Sequence, residues 1–368
     1  MIIEGTAPIL ITGGAGFIGC NLTAHFASSG ARVRVYDNFA RRGVEENARW
    51  LERAFPGRVE IVRADVRDAG ALRAALNDVQ AVFHLAAQVA VTTSLDEPCR
   101  DFEVNARGTL EVLEAVRKYA PRAPVIFTST NKVYGGLEDI PLVERSLRWE
   151  PRLTERDGRG VNEQRGVSCC SPYGCSKGAA DQYVLDYART FGLRTVVFRM
   201  SCIYGPHQHG NEDQGWVAHF AREVIARRPM VIYGDGKQVR DLLYVDDLVD
   251  AFGRALRHID TISGRAFNLG GGVANSASLR EVLALLGELS GSAPALLFRD
   301  WRTSDQRYYV SDTDAFQQAT QWRPRTSVHE GVAALYRWLS AREPGAAVFP
   351  LEAQAQAMAL QMGGGRHG

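Results

Sequence analysis

The chain of 368 residues is 45% hydrophobic and 23% charged, with a formal net charge of +1. This is the composition of a folded globular protein with room for two domains. The near-zero charge argues against a partner that is nucleic acid or a membrane surface. Because no apolar run could span a bilayer and no leader-like segment is visible, we expect a cytoplasmic protein. The six cysteines show no C-x-x-C spacing, so we expect reduced thiols and no metal site.

Short apolar segments alternate with helix-like segments through the first half of the chain. The predicted strands cover residues 9–12, 33–36, 59–62, 81–85 and 125–128. Helical spacing is clearest over 69–76 and 102–119, and later strands are predicted at 195–199 and 265–269. Alternating strands and helices imply right-handed crossovers. We therefore predict an α/β fold with a doubly wound parallel Rossmann sheet and a smaller mixed α/β lobe.

A glycine-rich turn, Gly13-Gly14-Ala15-Gly16-Phe17-Ile18-Gly19, follows the first predicted strand and opens a helix. Gly13 permits the tight turn, Gly16 lets the backbone approach a pyrophosphate, and Gly19 lets the helix pack on the sheet. Free N–H groups at the start of the helix attract the anion. This turn, with Phe17 and Ile18, is predicted to bind a dinucleotide.

An acidic residue closes the second predicted strand. Asp37 lies about 20 residues after the glycine turn, where a carboxylate accepts hydrogen bonds from the adenosine ribose. It favours NAD over NADP, because a carboxylate repels a 2′-phosphate. Arg41 and Arg42 are the opposing signal, since guanidinium groups bind that phosphate. Asn38, next to Asp37, is included in the predicted cofactor site.

The ends of the third and fourth predicted strands complete this cofactor site. Asp65 and Val66 are placed to meet the adenine edge, although an aspartate here is equally typical of a helix cap. Leu85, Ala86 and Ala87 follow the fourth strand at the same edge of the sheet. Ligands of open α/β sheets bind at this carboxyl edge.

A hydroxyl-bearing strand end and a Tyr-x-x-x-Lys pair carry the predicted chemistry. Thr130 ends the fifth strand and is placed to bind a substrate hydroxyl, a buried structural threonine being the alternative. Tyr173 and Lys177 are four residues apart, hence on one face of a helix. We expect the Lys177 ammonium to lower the phenol's pKa from its ordinary value near ~10. With the glycine turn, these residues predict hydride transfer to and from a nicotinamide, with Tyr173 as the base.

Further polar residues are candidates for substrate contacts. Guanidinium forks suit phosphate oxygens, so Arg240 and Arg307 are candidates for a diphosphate, and Asn131 lies beside Thr130. The polar segment 136–170 is too long for a simple connection. It is either a functional loop or a connection without a role. His207-Gln208-His209 is more typical of a polar loop than of a metal site.

From residue 9 to about 339, the chain resembles the extended short-chain dehydrogenase/reductase superfamily of NAD-dependent epimerases and dehydratases. Its strings at 129–135, 171–183, 213–216 and 236–241 resemble those of CDP-tyvelose (CDP-paratose) 2-epimerases. The resemblance implies a catalytic set of Thr130, Tyr173 and Lys177. It also implies an NAD site formed by the glycine turn and Asp37.

The resemblance also narrows the reaction. Related dehydratases carry an Asp-Glu pair after the strand-end threonine and related decarboxylases usually keep a glutamate, whereas this chain has Asn131-Lys132. We therefore expect inversion of C2 of a CDP-hexose, of the CDP-paratose to CDP-tyvelose type, through a 2-keto intermediate with tightly bound NAD. Inversion at C4 of a UDP-sugar such as UDP-glucose or UDP-glucuronate stays open. Two departures from the superfamily pattern leave the identity of the sugar undetermined. They are His207, where the superfamily often has arginine, and Cys169-Cys170.

The expected organisation has three parts. Residues 1–200 are expected to form the NAD-binding Rossmann domain, to which the chain returns at about 236–270. Residues 201–235 and 271–342 are expected to form the nucleotide-sugar-binding lobe, and 343–368 a tail that is either a loose helix or disordered. The resemblance implies a homodimer or homotetramer.

Overall fold

The computed structural model describes residues 7–152, 160–302 and 305–342, so the predicted tail 343–368 lies outside the described residues. The strands in chain order are β1 (Ile9–Thr12), β2 (Val33–Asp37), β3 (Val59–Arg63), β4 (Ala81–His84), β5 (Val125–Thr130), β6 (Leu142–Glu144), β7 (Trp149–Pro151), β8 (Thr195–Met200), β9 (Cys202–Tyr204), β10 (Met230–Tyr233), β11 (Val239–Tyr244), β12 (Arg265–Leu269), β13 (Ser276–Ser278), β14 (Leu296–Arg299) and β15 (Tyr308–Tyr309).

The α-helices in chain order are α1 (Phe17–Ser28), α2 (Val44–Ala54), α3 (Ala69–Ala75), α4 (Val91–Asp96), α5 (Pro98–Phe102), α6 (Gly108–Tyr119), α7 (Pro172–Phe191), α8 (Trp216–Ile225), α9 (Val245–Arg257), α10 (Ile259–Ile262), α11 (Leu279–Ser290), α12 (Asp314–Thr320) and α13 (Val328–Ser340). Two 3₁₀ turns, Asn131–Tyr134 and Val273–Asn275, and one π turn, Glu103–Arg107, complete the described elements. No helix in this part of the chain has the length and apolar character needed to cross a membrane.

Seven parallel strands form the central sheet in the order β12-β8-β5-β4-β1-β2-β3. Strands β1, β4 and β5 are buried along their whole length, because helices cover both faces of the sheet. Helices α1, α2 and α9 pack on one face, and α3, α6 and α7 pack on the other. The predicted doubly wound α/β fold is therefore confirmed. The strand order reverses between β1 and β4, which opens a crevice at their carboxyl ends.

A second group of elements follows β8. Strand β11 pairs with β9, β13 and β15, and β10 pairs with β14. Helices α8, α11 and α13 share an apolar core with these strands. The chain then returns to the central sheet, where β12 pairs in parallel with β8 and places Phe267 beside Phe198.

Two segments differ from the elements expected along the sequence. The predicted helix 102–119 is interrupted by the π turn Glu103–Arg107, a bulge that often marks a functional position. The long segment 136–170 contains the hairpin of β6 and β7, while its residues 153–159 lie outside the described part. The Trp149 indole donates a hydrogen bond to Asp235 at 2.9 Å. The hairpin therefore lies against the loop that leads into β11.

Candidate active site

The glycine turn has the geometry that a pyrophosphate site requires. Gly13 has a φ of +68° and a Cβ there would lie 2.8 Å from the Ala86 nitrogen. At Gly19 a Cβ would lie 2.2 Å from the carbonyl oxygen of Gly13. Helix α1 begins after Gly16 with no side-chain cap and no acidic residue in its first turn. Its positive end is therefore available to an anion, and the residues present fit NAD.

Asp37 lies beside this turn at the end of β2. It is buried, and its carboxylate accepts hydrogen bonds from the backbone nitrogens of Ala15 at 3.2 Å and Phe39 at 2.9 Å. Burial raises the pKa of this carboxyl, while those N–H groups and the Arg41 charge act in the opposite direction. Ribose hydroxyl donors would further stabilise the charged carboxylate.

The other predicted cofactor residues surround the same crevice. Leu85, Ala86 and Ala87 follow β4 and are half-buried, and the Ala86 nitrogen donates to the Thr12 hydroxyl at 3.3 Å. The Asp65 carboxylate is held by its neighbours: it accepts hydrogen bonds from Asn38 at 3.0 Å and from Arg67 at 2.8 Å. These bonds lower its pKa well below the ordinary value. Its predicted contact with adenine is untested.

Val66, Phe17 and Ile18 are apolar members of the predicted cofactor set. Val66 is buried, and a Cβ at Gly108 would lie 2.8 Å from its side chain. Phe17 and Ile18 form the start of α1 and pack against the core of the sheet. Their packing helps to fix the position of the first turn of α1.

Thr130 and Tyr173 are brought together at the carboxyl end of β5. Both are buried, and the Thr130 side chain interacts with the Tyr173 phenol. The Thr130 oxygen also accepts from the Lys132 backbone nitrogen at 3.2 Å. Burial raises the pKa of Tyr173 to about 12, and the Asp101 charge adds to this rise; Thr130 and Arg41 oppose it. Two predicted catalytic hydroxyls therefore meet in one buried position.

Lys177 lies on the same face of α7 but points elsewhere. Its ammonium donates to the Thr128 carbonyl at 2.6 Å and lies 4.2 Å from the centroid of the Phe127 ring. Burial lowers the pKa of Lys177 to about 7, against the opposing charges of Asp181 and Asp101. We expected Lys177 to lower the pKa of the Tyr173 phenol. In this structure the pKa of Tyr173 is instead raised. Burial of the phenol causes this rise, and the ammonium expected to oppose it is held by the Thr128 carbonyl.

A buried polar network that sequence reasoning missed fixes the start of α7. Ser94 accepts a hydrogen bond from the Tyr173 nitrogen at 3.1 Å. Ser176 donates to Asp101 and accepts from Asn105 at 3.1 Å. Asn105 belongs to the π turn, so the interruption of that helix supplies one of the contacts. No spacing in the sequence links these residues, because they lie more than 70 positions apart.

Helix α7 begins at a well-formed cap. Ser171 accepts a hydrogen bond from the Gly174 nitrogen at 3.1 Å, and Pro172 takes the first helical position. Serine at the cap and proline after it are typical of a helix start. Tyr173 therefore stands in the first turn, where its position depends on the cap.

Ser171→Ala is expected to lower the free energy of unfolding by about 1 kcal/mol through loss of this cap. It should also lower turnover severalfold, because the first turn carries Tyr173. Ser327 caps α13 in the same manner, with Glu330 completing the box. Ser327→Ala is therefore the matched control, with a similar loss of stability measured by urea unfolding but unchanged turnover. Equal turnover in both variants would contradict the dependence of Tyr173 on its cap.

The predicted substrate arginines have different surroundings. Arg240 on β11 pairs with Asp305 at 2.7 Å and is largely buried. Arg307 is exposed, with its guanidinium 4.9 Å from the Trp149 ring centroid and 5.6 Å from that of Trp301. Asn131 is buried beside Thr130. The structure thus places Asn131 next to Thr130, Arg240 in an ion pair with Asp305 on β11, and Arg307 against the β6–β7 hairpin.

The two histidines of the loop at 207–209 contact side chains of helices α2 and α13. The His207 ring lies 4.2 Å from that of Trp50 and 5.2 Å from that of Trp338. Both His207 and His209 contact the Asn47 amide, at 3.3 and 3.4 Å. The loop therefore joins α2 to α13. Among the residues described, no group of His, Cys, Asp and Glu side chains is arranged to hold a metal ion.

Comparison with known proteins agrees with this geometry. The model of the NAD dependent epimerase/dehydratase family matches residues 9–270. The chain is 43% identical to a CDP-paratose 2-epimerase of Salmonella typhi, over 90% of this chain and 99% of that protein. It is 32% identical to a UDP-glucose 4-epimerase of Mycolicibacterium smegmatis, over 88% and 96%.

A solved structure shows the same similarity to nucleotide-sugar epimerases. The UDP-glucose 4-epimerase of Thermus thermophilus, a complex with NAD, is 31% identical and covers 91% of this chain and 99% of its own, with a TM-score of 0.76. The resemblance seen in the sequence and the expected NAD cofactor are thereby confirmed at the level of the family. The chain belongs to the NAD dependent epimerase/dehydratase family.

Proposed function

We propose that this protein inverts C2 of a CDP-linked hexose, of the CDP-paratose to CDP-tyvelose type, and keeps its NAD between turnovers. The observation that carries the reaction class is the buried position of Thr130 and Tyr173 at the carboxyl end of β5, where burial raises the pKa of Tyr173 and the Thr130 side chain opposes this rise. Similarity to a CDP-paratose 2-epimerase at 43% identity supports the choice of CDP and C2. The absence of a carboxylate at Asn131 and Lys132 supports epimerisation over elimination of water.

The residues of this chain handle the proton and hold the sugar. NAD, when bound, supplies the acceptor and then the donor of a hydride. Thr130 holds the C2 hydroxyl, and Tyr173 takes its proton while the C2–H electron pair departs as hydride, which leaves a carbonyl at C2. The sugar then presents its other face, and Tyr173 returns the proton as hydride comes back to C2. The sum of these steps is redox-neutral.

Tyr173 needs help to act as a base, because its pKa is raised to about 12 in the ligand-free site. Against the effect of burial, the Thr130 side chain and the charge of Arg41 favour the phenolate by lowering the pKa of Tyr173. Lys177 has a pKa near 7, so it exchanges a proton readily near neutral pH. We propose that it turns from Thr128 toward the phenol and the nicotinamide ribose when the site is filled.

The proposal also assigns the two binding functions to different parts of the chain. We assign cofactor binding to residues 1–200 with 236–270, and nucleotide-sugar binding to 201–235 with 271–342.

We also propose a homodimer or homotetramer. The exposed aromatic side chains of Phe102 and Tyr119, at the ends of α5 and α6, and of Tyr183 and Phe191 on α7 support association. Sedimentation velocity would measure the assembly, and a purely monomeric species would refute it.

The test offers CDP-paratose, CDP-glucose, UDP-glucose and UDP-glucuronate separately and reads the products by proton NMR. We expect inversion at C2 of a CDP-sugar and no net NADH. With substrate deuterated at C2, the product should retain the label, because the hydride returns within one site. Loss of the label to solvent would contradict hydride return and indicate proton abstraction.

The alternative is inversion at C4 of a UDP-sugar. Similarity to UDP-glucose 4-epimerases at 32% and 31% identity favours it to a lesser degree. The same Thr130 and Tyr173 would act, with the sugar bound in another orientation. Inversion at C4 of UDP-glucose or UDP-glucuronate in the same assay would establish this alternative and overturn the C2 proposal.

A further inference from the structure

Lysine is rare in this chain, and half of its lysines lie in the candidate site. Of the 43 lysines and arginines, four are lysines, at positions 118, 132, 177 and 237. Lys177 belongs to the predicted catalytic set. Lys132 has no role in the mechanism above, although it follows Thr130 by two residues. The surroundings of Lys132 indicate which kind of ligand it binds.

Both the backbone and the side chain of Lys132 form hydrogen bonds in the candidate site. Its backbone nitrogen donates to the Thr130 hydroxyl at 3.2 Å. Its half-buried ammonium reaches across to the segment before β15 and donates to the Gln306 side-chain oxygen at 3.3 Å. The buried Gln306 in turn donates to the Gly135 carbonyl. Within the described residues, the hydrogen-bond partner of this cation is thus an amide rather than a carboxylate.

A second cation stands beside Lys132. Arg240 approaches from β11 and is paired with Asp305 at 2.7 Å. Burial and, to a lesser degree, the Arg240 charge lower the pKa of Lys132 to about 8, while Asp305 and Cys170 act in the opposite direction. The carboxylate that pairs with Arg240, Asp305, thus directly precedes the Gln306 amide that holds Lys132. An incoming anion would relieve both the burial cost and the repulsion of these cations.

The position of such an anion bears on which carbon reacts. In a nucleotide sugar the diphosphate is attached at C1, the direct neighbour of C2, whereas C4 lies across the ring. If C2 is to reach Thr130 and Tyr173, the β-phosphate must lie close to those hydroxyls. A site for C4 needs the diphosphate farther away. A cation at Lys132, whose backbone nitrogen bonds to the Thr130 hydroxyl, therefore suits reaction at C2.

We propose that Lys132, together with Arg240, binds the β-phosphate of the substrate next to Thr130 and so brings C2 to Tyr173. Lys132 acts as a positioning residue, since it holds the diphosphate and leaves proton transfer to Tyr173. This inference rests on the proposed C2 epimerase function. It adds the contact that sets the orientation of the sugar, and Gln306 holds the ammonium when the substrate is absent.

The experiment compares nucleotide binding to the NAD-bound protein and its Lys132→Met variant by titration calorimetry. CDP carries the β-phosphate and CMP lacks it. We expect the variant to bind CDP about tenfold or more weakly, through loss of one charge-assisted hydrogen bond, and to bind CMP as the parent does. Lys118→Met is the matched control, because Lys118 lies on α6 paired with Glu114 at 3.1 Å. It should leave both affinities unchanged.

A second readout uses the small number of lysines. Limited acetylation followed by mass spectrometry gives the reactivity of each lysine across a pH series. Lys132 should become reactive as pH rises through about 8, and CDP should protect it because a bound phosphate favours the charged amine. CMP should give no protection. Lys132→Gln, which keeps a hydrogen-bonding group toward Gln306, covers the case in which the Met variant does not fold.

The outcomes separate this inference from the proposed function. Equal weakening of CDP and CMP, unchanged CDP binding, or Lys132 reactivity insensitive to CDP would each overturn the role of Lys132. UDP and UMP are titrated in parallel. A parent protein that inverts C4 of a UDP-sugar overturns the C2 proposal and the orientation argument with it. Selective loss of UDP over UMP in the variant would then still establish the phosphate contact.

Discussion

The Tyr173→Phe variant should turn over substrate about a thousandfold more slowly than the parent protein while retaining its NAD. The change removes one oxygen from the buried Tyr173 side chain, on whose pKa Thr130 acts. The ring still fills its place, so the crevice between β1 and β4 keeps its shape. Only the group that moves the substrate proton is lost. Turnover is measured by product NMR, and bound NAD by absorbance after denaturation.

Tyr183 provides the matched control for this substitution. It lies on the same helix, with 44% of its surface exposed, so Tyr183→Phe should leave turnover unchanged. A Tyr173→Phe protein that kept more than about a tenth of the parent rate would assign the base to another residue. Loss of NAD from the variant would instead mean that the phenol serves the cofactor site.

Gly19→Ala is expected to release NAD and to lower the free energy of unfolding by about 2 kcal/mol. The added methyl would stand 2.2 Å from the Gly13 carbonyl oxygen and 2.6 Å from the Gly14 Cα. Both are backbone atoms, which cannot move aside as a flexible side chain does. The turn must therefore shift, and the start of α1 shifts with it. The NAD content after purification and the urea unfolding midpoint measure the two effects.

Gly253 on α9 provides the control for that change. A Cβ there meets only the end of the Arg257 side chain, at 3.6 Å. Gly253→Ala should leave NAD content unchanged and, through helix propensity, raise stability by up to about 1 kcal/mol. Retention of NAD by Gly19→Ala with normal stability would show that the turn tolerates the methyl group. The close packing assigned to Gly19 would then be wrong.

The sheet and its ligand-binding edge could be predicted from the sequence because their signals are local. The strand at 9–12 is apolar, the glycine turn follows it directly, and Thr130 ends a strand as expected. The return of the chain was also predictable, since 265–269 has the apolar character of a strand. The β6–β7 hairpin was not, because the polar segment 136–170 lacks the alternation of a half-buried strand.

The site was predictable only where residues are close in sequence. Tyr173 and Lys177 share a helix face, yet the carbonyl of Thr128 that holds the ammonium lies 49 positions away. Gln306 lies 174 positions from Lys132. Long-range pairs of this kind are set by how β11 and β15 stand relative to β5. Spacing along the chain carries no information about them.

The return of β12 to the sheet has a consequence for synthesis on the ribosome. Until residue 269 has emerged, β8 has no neighbour on one side, and its unpaired N–H and C=O groups are open to other chains. Sixty-four residues, 201–264, separate the two strands, so the nascent chain carries this open edge while β9 to β11 are made. A chain stopped near residue 200 would therefore be prone to aggregate, although it contains the glycine turn, Thr130 and Tyr173.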